Sequence, residues 1–151
     1  MPNKISSSSY KVKSPMAITI FGHLLFIAIT TLVLVWLLHF REGLAFSSSN
    51  KPKIFNIHPL LMVIGFVLMA GEAIMAYTTT PTSRKNHKLF HMILHLIALL
   101  TGIIGVIAVF KFHNESGIPH MYTFHSWIGL STIILFGLQV KSVRLNLRGT
   151  V

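Results

Sequence analysis

The chain of 151 residues contains no cysteine. That absence excludes a disulfide framework, a thiolate metal site and an iron–sulfur cluster, and it leaves the redox compartment unmarked. Acidic side chains are nearly as scarce: Glu42, Glu72 and Glu115 are the three, against 13 lysines and arginines, for a formal charge of +10. No histidine pair therefore has beside it the acidic helper of a zincin-type site. Charged residues of either sign make up 11% of the chain and hydrophobic ones 52%, with a mean hydropathy of +0.68. A soluble domain of this size has too large a surface for its volume to hide so much apolar area, so lipid is the expected solvent. The positive charge does not point to nucleic acid, because the basic residues lie between apolar runs rather than in one basic domain. They read as loops at a membrane surface.

What the sequence does have is four apolar runs: AITIFGHLLFIAITTLVLVWLLHF (17–40), IHPLLMVIGFVLMAGEAIMAY (57–77), LFHMILHLIALLTGIIGVIAVFKF (89–112) and MYTFHSWIGLSTIILFGLQV (121–140). Each reaches the roughly 20 residues that a helix rising about 1.5 Å per residue needs to cross a hydrocarbon core of about 30 Å. The first is too long for the core of a signal peptide and lacks a small-residue cleavage site before Arg41. The connectors SSSNKPK, TTTPTSRKNHK and HNESGIPH are short and rich in turn residues, which favours successive antiparallel neighbours and leaves no room for a separate soluble domain. The expected fold is all-α: a polytopic membrane protein built as a bundle of four transmembrane helices. Residues 1–16 are expected to be a disordered N-terminus and 141–151 a short tail. Nine of the 13 basic residues (Lys4, Lys11, Lys13, Arg84, Lys85, Lys88, Lys141, Arg144 and Arg148) fall on one side of such a bundle, and Arg41, Lys51, Lys53 and Lys111 on the other. The positive-inside rule then places both termini in the cytoplasm.

With depth assigned, the nine histidines fall into groups. His39, beside Arg41 and Glu42, and His120, in a loop, read as interfacial or solvated, and His23 as bonding to its helix backbone. His58 opens the second run and His125 lies early in the fourth, so both sit at matching depth near the non-cytoplasmic boundary. His91 and His95 lie at the opposite end of the third run. Ionisable residues inside a membrane are costly and usually face a bundle interior, which favours a functional reading. Two imidazoles on different helices at one depth suit the two faces of a haem. His87, His91 and His95 instead stack along one helix face at about 5–6 Å between neighbours, so no two of them can oppose each other across one macrocycle. A small metal ion could use such an i, i+4 pair directly. Spacing alone leaves haem ligation, a zinc or copper path and inert packing open.

Taken together, WLLHFREGLAF, FNIHPLLMVIGFVLMAGEAIMAY, KLFHMILH, GVIAVFKFHN and MYTFHSWIGL resemble the cytochrome b561 family of transmembrane ascorbate-dependent oxidoreductases, and most of all its plant members, over roughly residues 17 to 140. The resemblance implies two b haems, one near each membrane face, passing electrons from cytoplasmic ascorbate to monodehydroascorbate or a ferric chelate on the other side. It implies His58 and His125 as ligands of the non-cytoplasmic haem, with Tyr122 and Thr123 beside that haem, and His91 as a ligand of the cytoplasmic one, with His95 as its neighbour. Arg84 and Lys88 correspond to residues that hold the ascorbate anion; the same two charges also serve the positive-inside pattern. Phe110, His113 and Tyr122 correspond to the acceptor end, where an imidazole could bind ferric iron or move a proton.

The family has six helices, and its fifth supplies the second ligand of the cytoplasmic haem, whereas this sequence stops at Val151. The expectation is therefore a shortened family member with one well-ligated haem at His58 and His125. Two alternatives accompany it: a non-catalytic protein that pairs with full-length relatives or with itself, and a histidine-lined metal transporter.

Overall fold

The structure, a computed structural model, describes residues 16–79 and 83–148. The expectation of disorder before residue 16 thus falls almost wholly outside the described residues, as do 80–82 and 149–151. Every regular element among the described residues is helical. In hydrocarbon no water satisfies a free N–H or C=O, so a run of this apolarity closes its hydrogen bonds within itself.

The first column is α1 (Met16–Val35), continued by a wider π-helical turn over Trp36–Phe40. The second is made of α2 (Lys51–Phe55), α3 (Ile57–Leu60), a π-helical stretch Leu61–Leu68, and α4 (Met69–Thr79). Proline explains its segmentation. Pro52 starts α2, where a missing N–H costs nothing. Pro59, inside α3, has no N–H to return to the preceding turn, and the register widens two residues later. The third column, α5 (Arg84–Ser116), runs unbroken for 33 residues, capped by the Ser83 hydroxyl accepting from the Asn86 N–H. The fourth, α6 (Phe124–Arg148), follows a tight return. Met16–Phe40, Lys51–Ala76 and Arg84–Ser116 are long and apolar enough to cross a membrane. α6 has 25 residues but is less apolar, since His125 and Ser126 precede its Leu- and Ile-rich centre and Gln139 and Lys141 follow it.

Successive columns pack as neighbours, and α5 is the hub, touching the whole second column and α6. Its packing face is small: Ala98, Gly102, Gly105 and Ala108 are buried along it. Small residues let helix backbones approach closely where no hydrophobic effect drives association. Around them Phe66, Ala98 and Ile133 form the core with Met62, Leu99 and Phe136 packed against it. α1 is held differently. It sits on α4 through two polar contacts, Thr19 Oγ1 to Thr78 Oγ1 at 3.0 Å and His23 Nδ1 to Glu72 Oε1 at 2.8 Å. His23 thus bonds a carboxylate on another helix rather than its own backbone.

Candidate functional site

His58, in α3, and His125, in the first turn of α6, come together at one end of the bundle with ring centres 6.4 Å apart and planes at 86°. The His58 Nδ1–H donates to the carbonyl of Gly105 on α5 at 2.9 Å. A carbonyl only accepts, so this contact fixes the tautomer and leaves Nε2 with its lone pair. Gly105 permits the arrangement: a Cβ there would stand 3.3 Å from the Leu61 Cβ and 3.2 Å from the Met62 Sδ. The two rings line a cavity of about 230 Å³ together with Phe55, Met62, Phe110, His113, His120 and Tyr122. Thr123, also on its wall, caps α6, its hydroxyl accepting from the Ser126 N–H at 3.2 Å and meeting the Ser126 Oγ at 2.7 Å. That cap sets the first turn of the helix from which His125 projects.

Asn56, two residues before His58, is fully buried. Its Nδ2 donates to the carbonyls of Arg41 and Gly43, each at 2.8 Å, and its Oδ1 accepts from the Arg41 Nε–H at 3.3 Å. It ties down the loop after the first column, where Glu42 and Gly43 both adopt positive φ, 60° and 91°. Nearby, Glu115 bridges Lys51 at 2.6 Å and Lys111 at 3.6 Å. Two of the four basic residues at this end are thereby matched to a carboxylate.

Beyond the histidine pair the chain reverses at Gly117, whose φ of 66° closes α5 while the Ile118 N–H reaches back to the His113 carbonyl at 3.0 Å. The reversal brings His120 onto Phe110, with ring centres 4.7 Å apart and planes at 18°, and beside His113 at 5.6 Å and 25°. Tyr122 lies 6.1 Å from His113. His120, which the sequence reads as a solvated loop residue, is thus a member of this cluster.

At the opposite end His91 repeats the device of His58: its Nδ1–H donates to the carbonyl of Ala73 on α4 at 2.7 Å. The imidazole beside it is His95, one turn along the same helix, with ring centres 4.3 Å apart and planes at 75°. These two rings, with Met92, Phe136, Gln139 and Val140, line a cavity of about 30 Å³. The His95 Nδ1 is buried without a hydrogen-bond partner. Arg84 and Lys88 stand one turn apart at the exposed N-terminus of α5.

The family profile of eukaryotic cytochrome b561 matches residues 57–144. The chain belongs to the cytochrome b561 family. It is 52% identical over 122 residues to a rice protein named probable ascorbate-specific transmembrane electron transporter 1, covering 80% of this chain and 52% of that protein. It is 50% identical over 124 residues to transmembrane ascorbate ferrireductase 1 of Arabidopsis thaliana (82% and 52% covered) and 54% identical over 119 residues to ascorbate-specific transmembrane electron transporter 1 of maize (78% and 50%). The chain thus spans about half the length of these relatives. Membership and three spanning helices make it an integral membrane protein.

Cytochrome b561 implies haem b, and the residues at the His125 end fit that group. Two imidazoles binding one iron from opposite sides at about 2 Å each place their ring centres a little over 6 Å apart, which matches the 6.4 Å seen here. Gly129, one turn beyond His125 on the cavity wall, leaves open space, with nothing within 4 Å of where a Cβ would stand. The sequence offers no local signal for Gly105, Asn56 or His120, because each acts across a chain reversal or between helices.

Proposed function

We propose that this cytochrome b561 carries electrons across the membrane from ascorbate at the His91 end, facing the cytoplasm, to a ferric chelate or monodehydroascorbate at the His125 end. The observation that carries the reading is the His58–His125 pair, with its Nδ1–H anchored on Gly105 and its ring spacing. Haem b, when bound between these rings, supplies a one-electron carrier whose potential its ligands and burial tune.

The chain's own residues do the rest. Arg84 and Lys88 meet the donor at the N-terminus of α5, where exposed cations and the positive end of the helix dipole both attract an anion. The Ala73 carbonyl orients His91. His91 and Gly105 are separated by 14 positions on one helix, or about 21 Å along its axis, so transfer needs a redox group at each level rather than at the His125 end alone. Phe110, His113 and Tyr122 face the acceptor.

The test is the visible spectrum of purified protein. Ascorbate-reducible b-type Soret and alpha bands are expected. Reduction of an impermeant ferric chelate outside ascorbate-loaded proteoliposomes is expected only where the preparation also carries a redox group at the His91 level, and a preparation with no b-type band removes the reading.

A further inference from the structure

Buried polar atoms in proteins find hydrogen-bond partners, and hydrocarbon supplies none. The Nδ1 of His95 is shut away from the surface and bonds to no protein group. Its ring is held from two sides. His91 stands edge-on at 4.3 Å on the same helix, and Phe136 of α6 lies 5.3 Å away. A swing toward some other partner would break both contacts, so the partner has to come to the ring.

The cavity that His95 lines measures about 30 Å³. A water needs about 10–15 Å³ and two to four polar partners, whereas a purely apolar void stays dry. This void is not purely apolar: beside Met92, Phe136 and Val140, its wall carries His91, His95 and Gln139. Gln139 stands one turn beyond Phe136 on α6, so it reaches the cavity from the helix opposite His95. Its amide offers two N–H donors and an accepting oxygen.

We propose that one ordered water occupies this cavity and joins the His95 Nδ1 to the side-chain amide of Gln139, which makes Gln139 a positioning residue for the His91–His95 pair. The water gives one O–H to the Nδ1 lone pair, and His95 carries its proton on Nε2. Gln139 holds the water in turn, since its amide can donate to it or accept from it. Where the other end of the bundle brings two helices together with a pair of imidazoles, this end joins α5 to α6 through a solvent molecule. The site goes beyond the electron-transfer reading and does not depend on it, because only a ring nitrogen, an amide and a water take part.

The test is solid-state NMR of the full chain in lipid bilayers, with isotope-labelled histidine ring nitrogens receiving magnetisation from water. The His95 Nδ1 signal is identified by its loss in His95→Phe. In the parent it should be that of an unprotonated ring nitrogen fed by a water that exchanges slowly with bulk. Gln139→Met keeps the length of the side chain, removes the amide and should cut that transfer by about threefold or more. No transfer in the parent would mean a dry cavity, and undiminished transfer in Gln139→Met a water held without the amide; either overturns the proposal. Thermal midpoints check it independently. His95→Phe and Gln139→Met should each lower the midpoint by a few degrees, and the double variant by no more than the larger single loss, because partners removed together leave no polar group unmet. Losses that simply add would show that the two side chains share no water and would also overturn it. Helicity by circular dichroism on the same samples guards against misfolding. A preparation that shows the bound water but no b-type band removes the electron-transfer reading and supports this site.

Discussion

The two ends of the bundle use the same hydrogen bond and build different things with it. At each end a histidine gives its Nδ1–H to a backbone carbonyl on a neighbouring helix, His58 to Gly105 and His91 to Ala73. At the His58 end a second imidazole arrives from another helix and leaves a gap of 6.4 Å between ring centres. At the His91 end the adjacent imidazole, His95, comes from the same helix and lies edge-on at 4.3 Å. The cavities differ accordingly, about 230 Å³ against about 30 Å³. Orienting one imidazole needs a single carbonyl. Opposing two needs two helices at one depth, so helix pairing decides which level can grip a flat macrocycle within these residues.

The strongest way to break the comparison is to remove a ligand at each end. His58→Ala or His125→Ala should eliminate the b-type absorbance of the larger cavity, because metal–imidazole bonds hold the group there. His91→Ala should leave that signal in place. A haem-to-protein ratio unchanged by His58→Ala would end the assignment. Next in size is the carbonyl that orients His58: Gly105→Val puts branched carbon against Leu61 and Met62 and should lower haem affinity by about 10–100-fold, the usual cost of losing the group that orients a metal ligand. Titration of apoprotein with haemin measures it, and parental affinity would show that Gly105 is merely a packing residue.

Asn56→Ala tests whether the larger cavity depends on the loop beside it. Two carbonyls would lose their donor in a fully buried position, at a cost of about 1–3 kcal/mol for each buried group left unmet. A fall of several degrees in the midpoint of thermal unfolding is expected; an unshifted midpoint would mean that water takes over the role. The smallest effect belongs to Glu115→Gln, which breaks exposed pairs with Lys51 and Lys111 of the kind that water screens and that contribute little to stability. Its midpoint should barely move, and a large drop would promote this bridge to a structural element.

How much of this was legible beforehand follows from the range of each interaction. Apolar runs and short connectors reveal a helical membrane bundle because spanning length is a local property. Matching depth brings His58 and His125 to the same level for the same reason. His120 reads as a loop residue since its partners, Phe110 and His113, precede it across the turn at Gly117, and sequence distance says nothing about where a reversed chain lands. His23 reads as bonding to its own helix because its actual partner, Glu72, lies 49 positions away. The π-helical widening after Pro59 is half visible: proline announces a disturbed register, but not that the helix absorbs it without stopping.

α5 carries His91 near one end and His113 near the other in 33 uninterrupted residues, about 50 Å of rod against a hydrocarbon core of about 30 Å. The histidine groups of the two ends are thus mounted on a single ruler. Thermal breathing of the other columns can tilt it but cannot stretch it. A single residue inserted between His95 and Gly105 would lengthen the ruler by about 1.5 Å and, more damagingly, turn one end against the other by about 100°, carrying His91 away from Ala73 or Gly105 away from His58.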